Sequence, residues 1–418
     1  MMNLSRGFAL AMSGVVVLLS SSAATPATRA DKEAWVASWA SSPQTSEPDP
    51  DEPLTKLDGQ TVRERVRLSV GGKMIRIRLS NEFGKSALTV GAASVGLPTN
   101  AESVRPVSLH QLTFGGRTRV SVPPGAPVLS DPISLPVRSG EELSISLFFP
   151  TRVETPTVHS LALRNAVVSG PGDYTRTPRI DPVGKSTSSI AVTAVLVPNT
   201  QSKRLVVAFG DSITDGAAST TDRDQSWPAQ FAQRVTNKKI ELAIVNAGIA
   251  GNQLGHEGFG TSGLARFDRD VLSLPGVTHV ILLEGINDIA APGVKIGARY
   301  FAPPGEVRTA DEVIANYRQL VTRAHDHGIK VIGATLTPFA GTTVPGFYSP
   351  EKEAIRQTVN AWVRGAREFD GVIDFDATLR DPASPGRLNP RFASRDRLHP
   401  NDLGYATMAN AIDLTLFH

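Results

Sequence analysis

KRLVVAFGDSITDGAAST, residues 203–220, is the stretch from which the rest of the chain is read. Its apolar run at 205–209 has no polar interruption, which suits a strand buried on both faces, as in a parallel sheet. Gly210 and Asp211 suit a tight exit from that strand. Ser212 then stands just past the carboxyl end of a strand and near the start of a helix. Open α/β sheets place ligands there, and unpaired backbone N–H groups face outward. Two readings of Ser212 stand side by side: a nucleophile beside an anion site, or a helix N-cap.

Downstream, strand-like runs at 242–246, 279–284, 330–335 and 372–375 alternate with helical stretches at 227–235, 263–272, 311–325, 350–369 and about 400–416. Thr309-Ala-Asp-Glu312 is a capping box, Pro350 follows Ser349 at a helix start, and Gly328 is a helix stop. Five strands joined by helices predict an α/β domain whose parallel sheet is covered on both faces. In such a sheet every strand ends on the same edge. Ser212, the turn Asn246–Asn252 with Gly251, Asn287 with Asp288, and Asp396-Arg-Leu-His399 are therefore all expected there.

That set can build an acyl-transfer site. A serine hydroxyl is a poor nucleophile until a base takes its proton, and His399 is the natural base. Asp396, three residues earlier, can accept from one ring nitrogen and leave the other for Ser212. Among the eight histidines only His399 has an aspartate three positions before it. The backbone N–H groups of Ser212 and Gly251 and the Asn287 amide supply three donors for an oxyanion. Singly, Gly251 also reads as a tight turn, Asn287 as an Asx turn, and Asp396–His399 as a helix-start pair. The catalytic reading rests on their joint arrival from separate connections. Asp211, Asp215 and Asp288 are expected to satisfy turn amides. His325 and His327 make no metal pair, because i, i+2 positions do not share a helix face.

The blocks GDSITDG, NAGIAG, GIND and DRLHP, in this order, resemble those of the SGNH (GDSL) hydrolase family, from residue 203 to the C-terminus. The first block departs from the family in reading GDSI rather than GDSL. The resemblance implies a flavodoxin-like three-layer fold with strand order 2-1-3-4-5. It implies Ser212 as nucleophile, Asp396 and His399 as its triad partners, and Ser212, Gly251 and Asn287 as the oxyanion hole. No G-x-S-x-G elbow surrounds a plausible nucleophile. A long β domain in front is also similar to the XynE-like branch of the family, which implies carbohydrate O-acetyl esters.

Upstream, from about Trp35 to Thr200, short alternating runs are punctuated by Gly, Pro, Asn and Ser, which predicts an all-β, sandwich-like domain. Runs at 66–70 and 75–79 around Gly71-Gly72 read as a hairpin. Trp35 and Trp39 are expected in the core rather than on a sugar-stacking platform, and Arg76 and Arg78 on exposed sheet surface. Residues 174–189 read as a loop before a boundary near 199–202. Residues 1–30 carry Arg6, an apolar run at 8–19 and small residues at 22–24 or 28–30, the pattern of a signal peptide. The expected division is 1–30 signal peptide, 31–200 β-sandwich-like accessory domain and 201–418 SGNH hydrolase domain.

Across 418 residues the composition is 40% hydrophobic and 20% charged, that of a globular chain. Without residues 1–30 the balance is 41 basic to 40 acidic residues, with no basic block to suggest a nucleic-acid partner. There is no cysteine, which excludes disulfides and thiolate catalysis. No later run is long enough to suggest stable membrane insertion once the signal is removed.

The expectation is a secreted or periplasmic serine esterase that needs no metal or cofactor. It would act through an acyl-enzyme on small-molecule or polysaccharide esters, with short acyl groups such as O-acetyl. The alternatives are a lipase- or phospholipase-like acyl esterase, or a carbohydrate-binding surface protein with a vestigial hydrolase domain.

Overall fold

Arg204–Gly210, Leu242–Gly248, Val277–Leu283, Lys330–Ala334 and Gly371–Ile373 form one five-stranded sheet, every neighbouring pair parallel. The strand order is second, first, third, fourth, fifth. The first strand, an interior one, is almost wholly buried, with Leu205, Val206, Val207, Ala208 and Phe209 all inaccessible. That is why its sequence is a continuous apolar run rather than an alternation. Helices Trp227–Asn237 and Asp402–Ala411 pack together as one group; Ala310–Asp326 packs with Gly263–Phe267 and Pro350–Gly365 as another. With the sheet these make three layers. The capping box at Thr309 and Glu312 forms as expected, and Ser349 caps the helix that opens on Pro350. The structure, a computed structural model, describes residues 34–46, 52–200, 203–296, 299–306 and 308–418. The expected signal peptide lies outside the described residues.

The N-terminal part is strand-rich and antiparallel. Trp35–Ala40, Val192–Pro198, Arg76–Ser80 and Pro127–Leu129 form one sheet in that order. Pro182–Ser186, Ala166–Pro171, Gln60–Arg67, Glu142–Phe149, Ala92–Gly96 and His110–Gln111 form a second. A third joins Ser189–Ile190, Thr157–His159 and Gln44–Thr45.

The expected hairpin around Gly71-Gly72 does not form. Gln60–Arg67 pairs with Glu142–Phe149, whereas Arg76–Ser80 pairs with Val192–Pro198, so the two runs belong to different sheets. Neither glycine adopts the positive φ that a type I′ turn demands. Each instead permits a close approach: a Cβ on Gly71 would lie 2.5 Å from the Val137 carbonyl oxygen, and one on Gly72 2.8 Å from the Val197 Cβ. The expected loop at 174–189 contains the strand Pro182–Ser186, paired with Ala166–Pro171. Arg76 and Arg78 are half-buried rather than exposed: Arg76 stacks 4.6 Å over the Trp35 ring, and Arg78 pairs with Glu82 at 3.6 Å. Trp35 and Trp39 are half-buried and packed against the core.

Residues 34–418 cluster as one compact unit. Apolar side chains of the antiparallel sheets and of the parallel sheet belong to one continuous core. Val36 packs against Gly276, and Ala37 N–H donates to the Pro275 carbonyl at 3.1 Å. Charges reinforce the junction. Arg65 bonds Asp222 at 2.9 Å, Arg67 bonds Asp224 at 2.5 Å, and Arg164 bonds both Asp224 and Glu142. Asp222 and Asp224 lie in the loop after the Ser212 helix at φ of 63° and 52°, a left-handed conformation that short polar side chains tolerate.

Candidate active site

The first parallel strand ends at Gly210, level with Gly248 of the second strand and Leu283 of the third. Both glycines allow a close approach. A Cβ on Gly210 would lie 2.2 Å from the Leu283 carbonyl oxygen, and one on Gly248 2.3 Å from Asp215 N. The short helix Ser212–Asp215 can therefore sit directly on the strand ends. Its cap is Asp211, whose carboxylate accepts from Ile213 N–H at 3.0 Å. The N-cap reading of Ser212 thus falls away: it is the first helical residue and its hydroxyl is free for another partner.

That partner is His399. Ser212 Oγ lies 2.8 Å from His399 Nε2, across 187 positions of sequence. His399 Nδ1 lies 2.6 Å from Asp396 Oδ2. The Asp396 carboxylate also accepts from Ser394 Oγ at 2.6 Å, Leu398 N at 2.8 Å and His399 N at 2.9 Å. Burial pushes its ionisation upward, but the His399 bond and charge, with the Ser394 bond, outweigh it and hold the carboxyl well below its ordinary range. An ionised Asp396 accepts from Nδ1–H, which fixes the tautomer and leaves the Nε2 lone pair facing the serine hydroxyl.

The donor side comes from the next two connections. Gly251 sits in the turn after the second strand at φ +76°, a left-handed position that favours glycine, and the Phe259 ring lies where its Cβ would be. The Ser212 and Gly251 amides have no acceptor among the described residues. Asn287 lies in the helix Ile286–Ala290, and its Nδ2 donates to the Asn252 carbonyl at 2.8 Å, which is not an Asx turn. Asp288 accepts from Leu254 N at 2.6 Å and Gly255 N at 2.9 Å. Asp211 and Asp288 thus satisfy turn amides, as expected. Asp215 accepts from Ala250 N at 2.9 Å and does more besides.

Two residues of the site have no counterpart in the sequence reading. His159, from the N-terminal sheets, bonds Asp215 Oδ1 through Nε2 at 3.0 Å. Arg266, fully buried, donates to the Gly210 and Ala247 carbonyls at 2.9 and 2.7 Å, to Asn252 Oδ1 at 2.8 Å, and to Glu284 and Asp270. It ties the ends of the first three strands together beneath the serine. Glu284 is fully buried, and burial together with the neighbouring Asp211 pushes its ionisation far upward. Burial likewise pushes Asp211 up to about 7, against the Ile213 amide and the charge of His399. Neither His159 nor Arg266 carries a signal in the sequence, since a lone histidine in a strand and an arginine in a short helix are both commonplace.

His325 bonds Asp370 at 2.8 Å and His327 bonds the Arg323 carbonyl at 2.9 Å, so each faces a separate partner. No group of three or more metal-ligating side chains occurs among the described residues, and no described helix is long and apolar enough to cross a membrane.

The GDSL-like lipase/acylhydrolase family matches residues 208–407. No curated protein matches the chain. Among solved structures, a lipase/acylhydrolase from Enterococcus faecalis is 24% identical, covers 50% of this chain and 92% of its own, and has a TM-score of 0.36. A GDSL-like lipase from Bacteroides thetaiotaomicron is 22% identical, covers 52% of this chain and 90% of its own, with a TM-score of 0.37. An acetyl xylan esterase is 22% identical, covers 50% and 96%, with a TM-score of 0.36. The matched blocks and the strand-end geometry agree: residues 208–407 make up a GDSL-like lipase/acylhydrolase domain, that of a carboxylic ester hydrolase.

Proposed function

We propose that the protein is an exported serine esterase that hydrolyses short-chain carboxylic esters, O-acetyl groups on carbohydrate in particular, through an acyl-enzyme. On this reading residues 201–418 are catalytic and 31–200 are an accessory β domain. The leader-like pattern at 1–30 supports export.

The observation that carries the reading is the unbroken chain Ser212 Oγ–His399 Nε2–Asp396, at 2.8 and 2.6 Å. Ser212 Oγ attacks the ester carbonyl as His399 takes its proton, and Asp396 steadies the imidazolium that forms. The negative charge that develops on the carbonyl oxygen is met by the Ser212 and Gly251 amides and the second hydrogen of the Asn287 amide. His399 then returns the proton to the leaving alcohol. Water attacks the acyl-enzyme by the same route, with His399 again as base, and frees the acid and the serine.

A short acyl group is supported by the Phe259 ring, which lies against Gly251 and meets Phe301 edge-on at 5.0 Å. Together they bound the space beside the proposed oxyanion donors. Phe259 and Tyr348 are exposed aromatic side chains in the hydrolase part, and such side chains suit stacking on sugar rings.

The test is hydrolysis of p-nitrophenyl esters by the full chain with Ser212→Ala and His399→Ala beside wild type. Both variants should remain folded and lose turnover; wild-type rates in Ser212→Ala would remove the reading. A rise in kcat/KM toward long acyl chains would replace the acetyl assignment with a lipase-like one. Failure of Ser212 to take a phosphonate label, with polysaccharide binding retained, would point to a binding protein. Acetate release from acetylated xylan, pectin and peptidoglycan identifies the alcohol side.

A further inference from the structure

His159 is contributed by the strand Thr157–His159 of the N-terminal sheets, yet its ring reaches the helix that carries Ser212. Its Nδ1 lies 3.0 Å from the Ser42 carbonyl and its Nε2 lies 3.0 Å from Asp215 Oδ1. Both partners are acceptors, so both ring nitrogens must donate, and the ring is held as an imidazolium. Burial works against that charge, but Asp215, the Ser42 carbonyl and Asp270 together raise its ionisation. The side chains of His159 and Asp215 are 9% and 2% exposed, so this is a water-shielded ion pair, in which misplacement of either partner is costly.

Asp215 has a second oxygen, and Oδ2 accepts from Ala250 N–H at 2.9 Å. Ala250 immediately precedes Gly251. The series Ser42 carbonyl, His159, Asp215, Ala250 therefore runs from the N-terminal sheets to the turn that presents the Gly251 amide. Asn246 Nδ2 adds bonds to the Thr214 and Asp215 carbonyls at 2.9 and 3.2 Å, so the helix end and the turn are already one assembly. What His159 adds is the fixed rotamer of the Asp215 carboxylate. Without it, Asp215 would keep an amide partner but lose the charge that aims it.

We infer that His159 is a positioning residue for ester hydrolysis, acting through Asp215 to hold the Gly251 N–H where an oxyanion forms. The inference rests on the proposed function, since it takes Gly251 to be an oxyanion donor. It also gives the strand-rich part a task in the chemistry itself, apart from any hold it has on a polymer. A displacement of about 1 Å in such a donor costs on the order of a hundredfold in rate, so the brace is expected to act on kcat rather than on ground-state binding.

The experiment compares His159→Ala, Asp215→Ala and the double variant in the full chain, with p-nitrophenyl acetate as substrate and circular dichroism as the check on folding. His159→Ala is expected to lower kcat roughly 10- to 100-fold with KM within about twofold. Because it acts through Asp215, it should cost less than about twofold further in the Asp215→Ala background. A folded His159→Ala protein with wild-type kcat, losses that multiply in the double variant, or an effect carried by KM overturns the inference.

If neither alanine variant folds, Asp215→Asn decides. Its amide oxygen still accepts from Ala250 and its amide nitrogen donates to a neutral His159, so kcat should stay within about threefold of wild type, and a loss of about tenfold or more overturns the inference. Ser212→Ala in parallel separates the two failures. An inactive Ser212→Ala beside a fully active His159→Ala removes this inference alone, whereas an active Ser212→Ala removes the reading beneath it.

Discussion

Asn287 Nδ2 donates one of its two hydrogens to the Asn252 carbonyl at 2.8 Å, and that bond fixes the direction of the other. Asn252 is held in turn, its Nδ2 donating to the Thr261 carbonyl at 2.9 Å and its Oδ1 accepting from Arg266 at 2.8 Å. An amide so anchored needs no reorganisation when charge appears on a carbonyl oxygen, which is the condition under which a donor is worth most. Replacing Asn287 by Ala should lower kcat by on the order of 10²–10³ with little change in KM. Steady-state kinetics on p-nitrophenyl acetate check this, and a KM effect without a kcat effect would count against the role.

Replacing Asp396 by Asn keeps the shape but lets the neutral side chain present a donor to His399, favouring the wrong tautomer. A loss of about 10⁴ in kcat is expected. Stability should follow a defined pH pattern. The folded carboxyl is held below its ordinary value of 3.8, so its contribution is present above that pH and fades as pH falls below it. Thermal melts of wild type and variant should therefore differ at pH 7 and converge in acid.

Glu64, in the strand Gln60–Arg67, offers the opposite sign. Burial pushes its carboxyl from 4.5 up to about 8, although the Ile190 amide, bonded at 2.7 Å, works the other way. Below pH 4.5 both folded and unfolded chains hold the proton and nothing is lost. As pH rises from there toward 8 only the unfolded chain releases it, so wild-type stability falls. Glu64→Gln keeps an acceptor for Ile190 and has no proton to lose. Its melting temperature should match wild type near pH 4 and exceed it by several degrees at pH 8.

Arg266 neutralises a buried carboxylate cluster, and removing one partner from such a cluster typically costs about 3–5 kcal/mol. Arg266→Met should lower stability by roughly that amount, with Glu284→Gln in the same chain recovering part of it. Urea unfolding of the two variants measures the difference; full stability in Arg266→Met alone would show that the buried carboxyl groups need no counter-charge.

The parallel sheet was legible because its strands are short, mainly apolar runs that alternate with helical stretches, and because helix caps such as Thr309–Glu312 are local. The strand order also matches the expectation from the sequence blocks. Ser212, Gly251, Asn287 and the Asp396–His399 pair were legible as candidates because each follows a strand end on one sheet edge. The antiparallel part was less legible. Gln60–Arg67 finds its partner at Glu142–Phe149, some eighty positions away, and no turn chemistry at Gly71-Gly72 announces that. His159 was invisible for a related reason: its meaning comes from Asp215, 56 positions on, and from a carbonyl at Ser42, 117 positions back.

Arg266 Nη1 also reaches Ser42 Oγ, at 3.3 Å. One guanidinium thus reads the ends of three hydrolase strands and a residue forty positions from the start of the chain. Residues 203–418 grafted onto a foreign scaffold would carry that cation without its Ser42 contact, and Asp215 with no ring to meet it. For this protein the front and rear segments are not interchangeable parts, and a change in one will be tolerated only as fast as the other can answer it.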